Sequence, residues 1–423
     1  MHSGIPPSLI LGPYDLAVMA VRGQRALIVT TGRSRGSLAA LRALSEAGWY
    51  VGVGIPETKG MVTTSKWCRH RHLIPRPRGD AEEFVAALAE AVAIGEYDVV
   101  FGGGDDTVAA LAAARDRIPA RVAHPPIDRV IAALDKIELA TRARAVGLAA
   151  PRTEVATEAT LSRWVGPVVV KCRSHFAPGQ HHEYRIEARR YPNAERGANR
   201  VRRIRDAGLV PTLQQVVDGQ LGAIIGVMHD GRLLGRVQQA ASALWPVPNG
   251  VSSRAETIPV DEDLAGRAEA LLAGLGWEGL VELQFLTPPG CAAHLIDLNG
   301  RFYGSMALAN EAGANLADAW ARQALGLPLP PLSDAQIGVR FAWTAGDLRR
   351  AFAERRGGLL GDVRTTFGWA RQATASSVWD RHDVRPALHL LLAAVIGRTT
   401  HPFDAARPRQ PGAAVPAPND QPS

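Results

Sequence analysis

The alternation of apolar and polar positions divides the chain into stretches of different architecture. Residues 26–31 (ALIVTT) form a β-rich apolar run, and residues 37–47 follow with helical spacing closed by Gly48. Residues 49–54 read as the next strand, so strand, glycine turn, helix and strand make one βαβ unit of a parallel sheet. Residues 84–94 give another amphipathic helix, and residues 97–101 (YDVVF) another buried strand running into the loop 102–107 (GGGDDT). Residues 22–125 are therefore expected to form a small open α/β domain. In that loop Asp105, Asp106 and Thr107 suit either substrate contacts or a plain strand-to-helix turn.

After Pro126 the pattern changes. Residues 127–146 have the spacing of one helix, with Asp135 and Lys136 inside it and Gly147 at its end. Residues 168–172 (VVVKC) read as a short buried strand carrying Lys171. Residues 213–217, 223–229 and 233–240 read as sheet strands, the last two joined by an Asp230-Gly231 turn, and 264–275 as a helix. In 279–285 (GLVELQF), Val281, Leu283 and Phe285 share one face, and Glu282 and Gln284 the other. In 295–299 (LIDLN), Asp297 and Asn299 lie opposite Ile296 and Leu298. A hairpin centred on Gly290 and Cys291 sets Gln284 across from Asp297, and Glu282 across from Asn299. A slip of one residue would scatter these four side chains. Beyond 329 the spacing is helical (345–355 and 384–396), and residues 399–423, rich in Pro, Ala and polar groups, are expected to be a disordered tail.

Composition narrows the classes. Apolar residues make up 46% and charged residues 21%, which is ordinary globular usage. Cys68, Cys172 and Cys291 have neither disulfide nor metal spacing. No basic start followed by an apolar run marks a signal peptide, and the apolar run 388–396 is too short to span a bilayer. A cytoplasmic protein with no membrane role is expected. The net charge of +7 invites nucleic acid, but the densest arginine group (Arg189, Arg190, Arg196, Arg200, Arg202, Arg203, Arg205) has only Tyr191 among it as a stacking platform. The glycine turn 32–36 lacks the three-glycine pattern and the following acid of a nicotinamide site.

Lysine usage is more informative. Of 48 lysines and arginines only Lys59, Lys66, Lys136 and Lys171 are lysines. A compact ammonium does what a planar guanidinium does not, so positions that keep it are candidates for chemistry. The amide and carboxylate oxygens of Gln284, Asp297 and Asn299 suit a hard cation such as magnesium, and the lack of sulfur and imidazole argues against zinc.

Over roughly residues 135–325 these features resemble the ATP-grasp superfamily. The resemblance is carried by the strand 279–285, by Asp297-Leu-Asn-Gly-Arg301, by Phe302-Tyr-Gly-Ser305 and by Glu311-Ala-Gly-Ala-Asn315. Gln284 is similar to the metal-site strand of the carbamoyl-phosphate synthetase large subunit. It implies an N-terminal open parallel-sheet domain (22–125), a two-lobed ATP-grasp unit (126–328, lobes 126–210 and 211–328) and a small helical C-terminal region (329–398), an α/β and α+β architecture. It also implies ATP and Mg2+, with Mn2+ as a substitute, and an ADP-forming ligase that joins a small-molecule carboxylate to an amine through an acyl-phosphate. By the same likeness Gln284, Asp297 and Asn299 hold the metal, and Lys136 and Lys171 the phosphates. Gln214, Gln215 and the backbone near Val216 meet adenine, and Asp218 or Gln220 the ribose. Arg301 and Arg254 steady the developing negative charge.

The chain departs from the family pattern in three places. Residues 173–180 carry a single glycine where a glycine-rich loop is expected, Asp297 stands for a glutamate, and Gly300 for a proline. These departures motivate the alternative of a catalytically weak or inactive ATP-binding module. Small-molecule substrates are expected, with no nucleic acid, and a homo-oligomer is compatible with the sequence.

Overall fold

The computed structural model describes residues 23–78, 81–174 and 188–395. The expected tail 399–423 and most of the loop 173–180 lie outside these. The first sheet is parallel and contains β1 (Arg25–Val29), β2 (Tyr50–Ile55), β3 (His70–Leu73), β4 (Val99–Gly102) and β5 (Arg121–Val122), in the order β3-β2-β1-β4-β5. Its connecting helices include α1 (Arg35–Glu46), α2 (Glu82–Gly95) and α3 (Asp105–Ala113). Ala26 and Ile28 point to the α1 side, and Leu27 and Val29 to the α2 side, so each face of β1 is buried and the run reads as continuously apolar.

The expected helix 127–146 is two helices, α4 (Ile127–Leu134) and α5 (Lys136–Ala145). Asp135 breaks it: its backbone is extended, and its carboxylate accepts from the N–H groups of Ile137 and Glu138 as an N-cap. A four-stranded antiparallel sheet follows, containing β6 (Thr153–Val155), β7 (Val168–Cys172), β8 (Arg189–Tyr191) and β9 (Pro211–Gln215), in the order β6-β9-β7-β8. One face buries Val168, Val170, Cys172 and Leu213 against Val201 and Ile204 of helix α6 (Ala194–Asp206).

The largest sheet has seven strands among the described residues. It contains β10 (Gln220–His229), β11 (Arg232–Trp245), β12 (Val251–Ile258), β13 (Gly279–Thr287), β14 (His294–Asn299), β15 (Arg340–Ala342) and β16 (Ala375–Ser376), in the order β14-β13-β10-β11-β12-β15-β16. Helix α7 (Glu262–Gly274) covers Ile224, Val281, Leu283 and Leu298 on one face. On the other, Ala223, Ile225, Val237 and Leu280 share a core with α1, α8 (Met306–Glu311) and α9 (Leu316–Leu325). That shared core fixes the first sheet against the largest one.

The C-terminal part is helical as expected, with α10 (Thr344–Glu354), α11 (Leu359–Gln372) and α12 (Arg385–Val395). It is not separate at residue 328, however. Strand β15 pairs with β12 and extends the large sheet, and β16 adds beside β15. Runs of three and two residues are too short to show a period, which is why the pattern reads as helix alone. The segment also reaches back to the first domain. Buried Asp383 accepts from Arg42 Nε (3.0 Å), Ser65 Oγ (2.6 Å) and the Lys66 N–H (3.0 Å).

Candidate active site

Strands β13 and β14 pair with Glu282 opposite Asn299 and Gln284 opposite Asp297, the register that alternation predicts. The opposite face of the hairpin packs on α7 through Val281, Leu283 and Leu298, so burial of that face holds the register. Glu282 is buried and accepts through Oε2 from Gln284 Nε2 (3.0 Å) and Asn299 Nδ2 (2.8 Å). Burial pushes its carboxyl up to about 7, against Arg301, Asn299 and Gln284, which favour the charged form.

Asp297 forms a salt bridge with the ammonium of Lys136 at the start of α5. Burial works to raise the Asp297 carboxyl, but Lys136 and then Lys171 outweigh it and hold it below the usual range. Both rare lysines therefore bear on one carboxylate. The break at Asp135 makes this geometry: the same Asp135 carboxylate takes Arg173 Nε (2.7 Å), and the Lys136 N–H donates to the Arg173 carbonyl (3.0 Å). Helix α5 is thereby tied to the end of the strand that carries Lys171.

Arg301 donates to Asn299 Oδ1 (3.0 Å) and forms an ion pair with Asp105 (2.6 Å) at the start of α3. Burial opposes its charge, while Asp105, Glu282 and Asp297 hold the guanidinium above its ordinary pKa. Asp105 is thus the member of the 102–107 loop that reaches the cluster. Sequence alone leaves it level with Asp106 and Thr107, because the contact joins residues 196 positions apart. Glu282 was recognisable as one of the four facing oxygens, but its position at the centre of the amide network comes from burial.

On β9, Thr212 is the register partner of Lys171, so Gln214, two residues on, shares the Lys171 face. Gln214 is buried and donates to Thr153 Oγ1 (3.0 Å). Gln215 lies on the other face, where it accepts from the Arg152 N–H (3.2 Å). Val216 lies in the segment that joins β9 to β10. Two residues are not brought to the cluster. Asp218 is exposed and takes both arms of Arg190 on β8 (2.6 and 3.2 Å). Arg254 lies on β12 opposite the face of Ala255 and Thr257, and Thr257 is the partner of Gln239, itself beside Ala223 and Gln284. It therefore points to the far side of the sheet, where it pairs with Asp347 (2.6 Å) and donates to Thr366 (3.2 Å).

The donor set fits a hard divalent cation. It offers two carboxylates and two amides, and Glu282 Oε1 receives no hydrogen bond among the described residues. Its direct hydrogen-bond donors are amides, and the charge of Arg301 offsets its burial only in part. No group of three or more His, Cys, Asp or Glu that could hold a metal ion occurs among the described residues, so the carboxylates here would need amide oxygens beside them. No helix among them is long and apolar enough to cross a membrane.

Residues 239–346 match the family described as ATP-grasp in the biosynthetic pathway with Ter operon. Among solved structures, the chain is similar to a biotin carboxylase from Campylobacter jejuni in a β-γ-ATP complex (15% identity, TM-score 0.57, 74% of each chain covered). It is similar to an L-amino acid ligase from Bacillus licheniformis (14% identity, TM-score 0.54, 72% of this chain and 74% of that one). It is also similar to the N5-carboxyaminoimidazole ribonucleotide synthetase purK in an ADP complex (12% identity, TM-score 0.58, 83% and 98%). No curated protein matches the chain by sequence.

Proposed function

We propose, from the premise that this chain has the ATP-grasp fold, that it is an ATP- and magnesium-dependent ligase acting on a small carboxylate and an amine. The carboxylate takes the γ-phosphoryl group of ATP to give an acyl-phosphate and ADP. The amine then displaces phosphate and an amide forms. The observation that carries this reading is the convergence of Lys136 and Lys171, from two separate elements, on Asp297 of the β13–β14 hairpin.

Bound magnesium would supply Lewis-acid neutralisation of phosphate oxygens, and Gln284, Asp297, Asn299 and the added Glu282 would hold it. The protein's own groups do the rest. Lys136 and Lys171 bind the phosphates as point charges. Arg301, braced by Asp105 and Asn299, faces the phosphoryl group as negative charge moves onto the leaving oxygen. Gln214 and the backbone at Val216 orient the adenine. Enclosure between the four-stranded and seven-stranded sheets excludes water from the acyl-phosphate. Arg254 and Asp218 have no part in this scheme.

The test is ADP release by the full chain with MgATP, presented with panels of small carboxylates and amines. Release that needs both partners supports the ligase. Tight nucleotide binding with no ADP from any pair would instead establish the inactive ATP-binding module, the reading favoured by the shorter acid at Asp297.

A further inference from the structure

Arg35 opens α1 at the carboxyl end of β1, where the strand order β3-β2-β1-β4-β5 changes direction. Crevices at such switch points are where open parallel sheets collect ligands. The guanidinium carbon lies 3.7 Å from the ring centroid of Trp343, which follows β15. Among the described residues no hydrogen bond or ion pair reaches this side chain, and Nη1 is sealed from water without an acceptor. Burial pulls its pKa down to about 9. Arginines that are buried outright behave differently: Arg42, Arg322 and Arg350 each pair with an aspartate. A guanidinium partly withdrawn from water, with one nitrogen sealed and no counter-charge, burdens the folded state unless an anion arrives. Contact with an aromatic face occupies the flat side of the group and leaves its in-plane N–H fork open.

Two further sealed polar groups belong to segments that touch Arg35 or its partner Trp343. Tyr303 is 1% exposed and its Oη has no partner, and Ser253 is 0% exposed and its Oγ has none. Ser253 is adjacent to Trp343, whose N–H donates to the Ser253 carbonyl (2.8 Å). Tyr303 precedes Gly304, where an added Cβ would stand 3.2 Å from Arg35 Nη2. Its phenol is near enough to Glu282 for that carboxylate to raise its pKa. The close approach depends on Gly36, since a Cβ there would meet the Tyr303 carbonyl at 2.3 Å. The start of α1 adds a hydroxyl chain in which Ser37 Oγ lies 2.9 Å from both Thr30 Oγ1 and Ser34 Oγ.

We propose that Arg35 receives the carboxylate of the acyl substrate, its fork taking the two oxygens between the start of α1 and the segment 301–304, with the Tyr303 hydroxyl as a further donor. The position sets that carboxylate beside Arg301 and the metal hairpin. Naming this ligand as the reactant rests on the ligase reading, whereas the anion site itself rests on the unpaired charge of Arg35.

The experiment is thermal unfolding of the full chain with malonate, acetate or inorganic phosphate titrated in, with and without MgADP. Malonate or acetate is expected to raise the midpoint of the wild type. Arg35→Met should weaken that response roughly tenfold or more while keeping the MgADP response. Arg35→Lys, which keeps a charge but loses the fork, should fold and show the same weakened carboxylate response. Without ligand, Arg35→Met should unfold at or above the wild-type midpoint, because an unpaired, partly buried charge has been removed. A carboxylate response absent in the wild type, or undiminished in both variants, overturns the proposal. So does a midpoint several degrees lower in unligated Arg35→Met, the mark of a purely structural arginine. A response to phosphate alone overturns the carboxylate assignment. If MgADP itself leaves the wild type unchanged, the ligase reading falls, and the carboxylate titration still reports on Arg35.

Discussion

Two buried clusters of arginine and acid use opposite faces of the same seven-stranded sheet. On the far face, Arg350 binds Asp347 (2.6 Å), Glu354 (3.0 Å) and both oxygens of Asp362 (2.6 and 3.0 Å), and Arg254 closes the set through Asp347. All of these except Glu354 come from positions within α10, α11 or β12 that are almost sealed from water. On the near face, Lys136, Lys171 and Arg301 meet Asp297, Asp105 and a Glu282 whose carboxyl is pushed toward neutrality. Arg35 adds a cation with no acid at all among the described residues. The far cluster satisfies its groups internally, so it can only hold helices to a sheet. The near cluster leaves donors and acceptors unsatisfied, and such a deficit is what a ligand can fill.

The largest expected effect breaks the far cluster. Arg350→Met leaves Asp362 with only the Arg356 N–H (2.9 Å) and Asp347 with Arg254. Removing one partner of a buried pair leaves an uncompensated charge, so a loss of roughly 3–5 kcal/mol is expected in urea unfolding. Nucleotide affinity of the folded fraction should be unchanged. A variant that unfolds like the wild type, or that loses nucleotide with full stability, would erase the distinction between the two faces.

The next tests the near cluster. Lys171→Met should reduce ADP release by roughly 10²–10³-fold, the scale of removing one preorganised charge from a developing phosphoryl centre. The unfolding midpoint should hold, since Lys136 still neutralises Asp297. Undiminished turnover would remove Lys171 from the phosphate site.

The same contrast explains what the sequence could reveal. The hairpin was legible because one face is apolar at every second position, and that fixes both register and direction for Glu282, Gln284, Asp297 and Asn299. The lysines were legible by their rarity in an arginine-rich chain. Alternation tells which residues share a face but not which face meets the cleft, so it does not place Arg254 on the side of Asp347. The pairing also shifts between Ala241 and Ala243, opposite it. Asp135 was read as the inside of a helix because apolar spacing continues across it, whereas the break is made by its own side chain. Arg301 and Asp105, Arg35 and Trp343, and Arg42 and Asp383 each join distant positions, from 196 residues apart for the first pair to 341 for the last. No local period encodes such contacts.

Acid should act on the first sheet and on the far cluster in separate windows, which gives the finest test of how self-contained the far cluster is. His72 is buried against Tyr97 (2.8 Å), and burial holds its pKa down to about 4. His124 accepts from the Gly102 N–H (2.7 Å) at the end of β4, and burial holds it down to about 3. Each folded pKa lies below the ordinary value of 6.5, so the unfolded chain binds these protons first. Their stabilisation is complete above 6.5 and is lost as pH falls toward 4, by about 2 kcal/mol per histidine at pH 5. Asp362 is held below its ordinary 3.8 by hydrogen bonds from Arg350, so its contribution persists through that window and is lost only at lower pH. Urea unfolding at pH 7, 5.5 and 4.5 should therefore show a shallower slope for His124→Gln, whose amide oxygen can still accept from Gly102. Arg350→Met should be less stable at all three values with the wild-type slope. Equal slopes for wild type and His124→Gln would show that His124 is protonated as readily in the folded chain as in the unfolded one, and that the seam between β4 and the site is open to water.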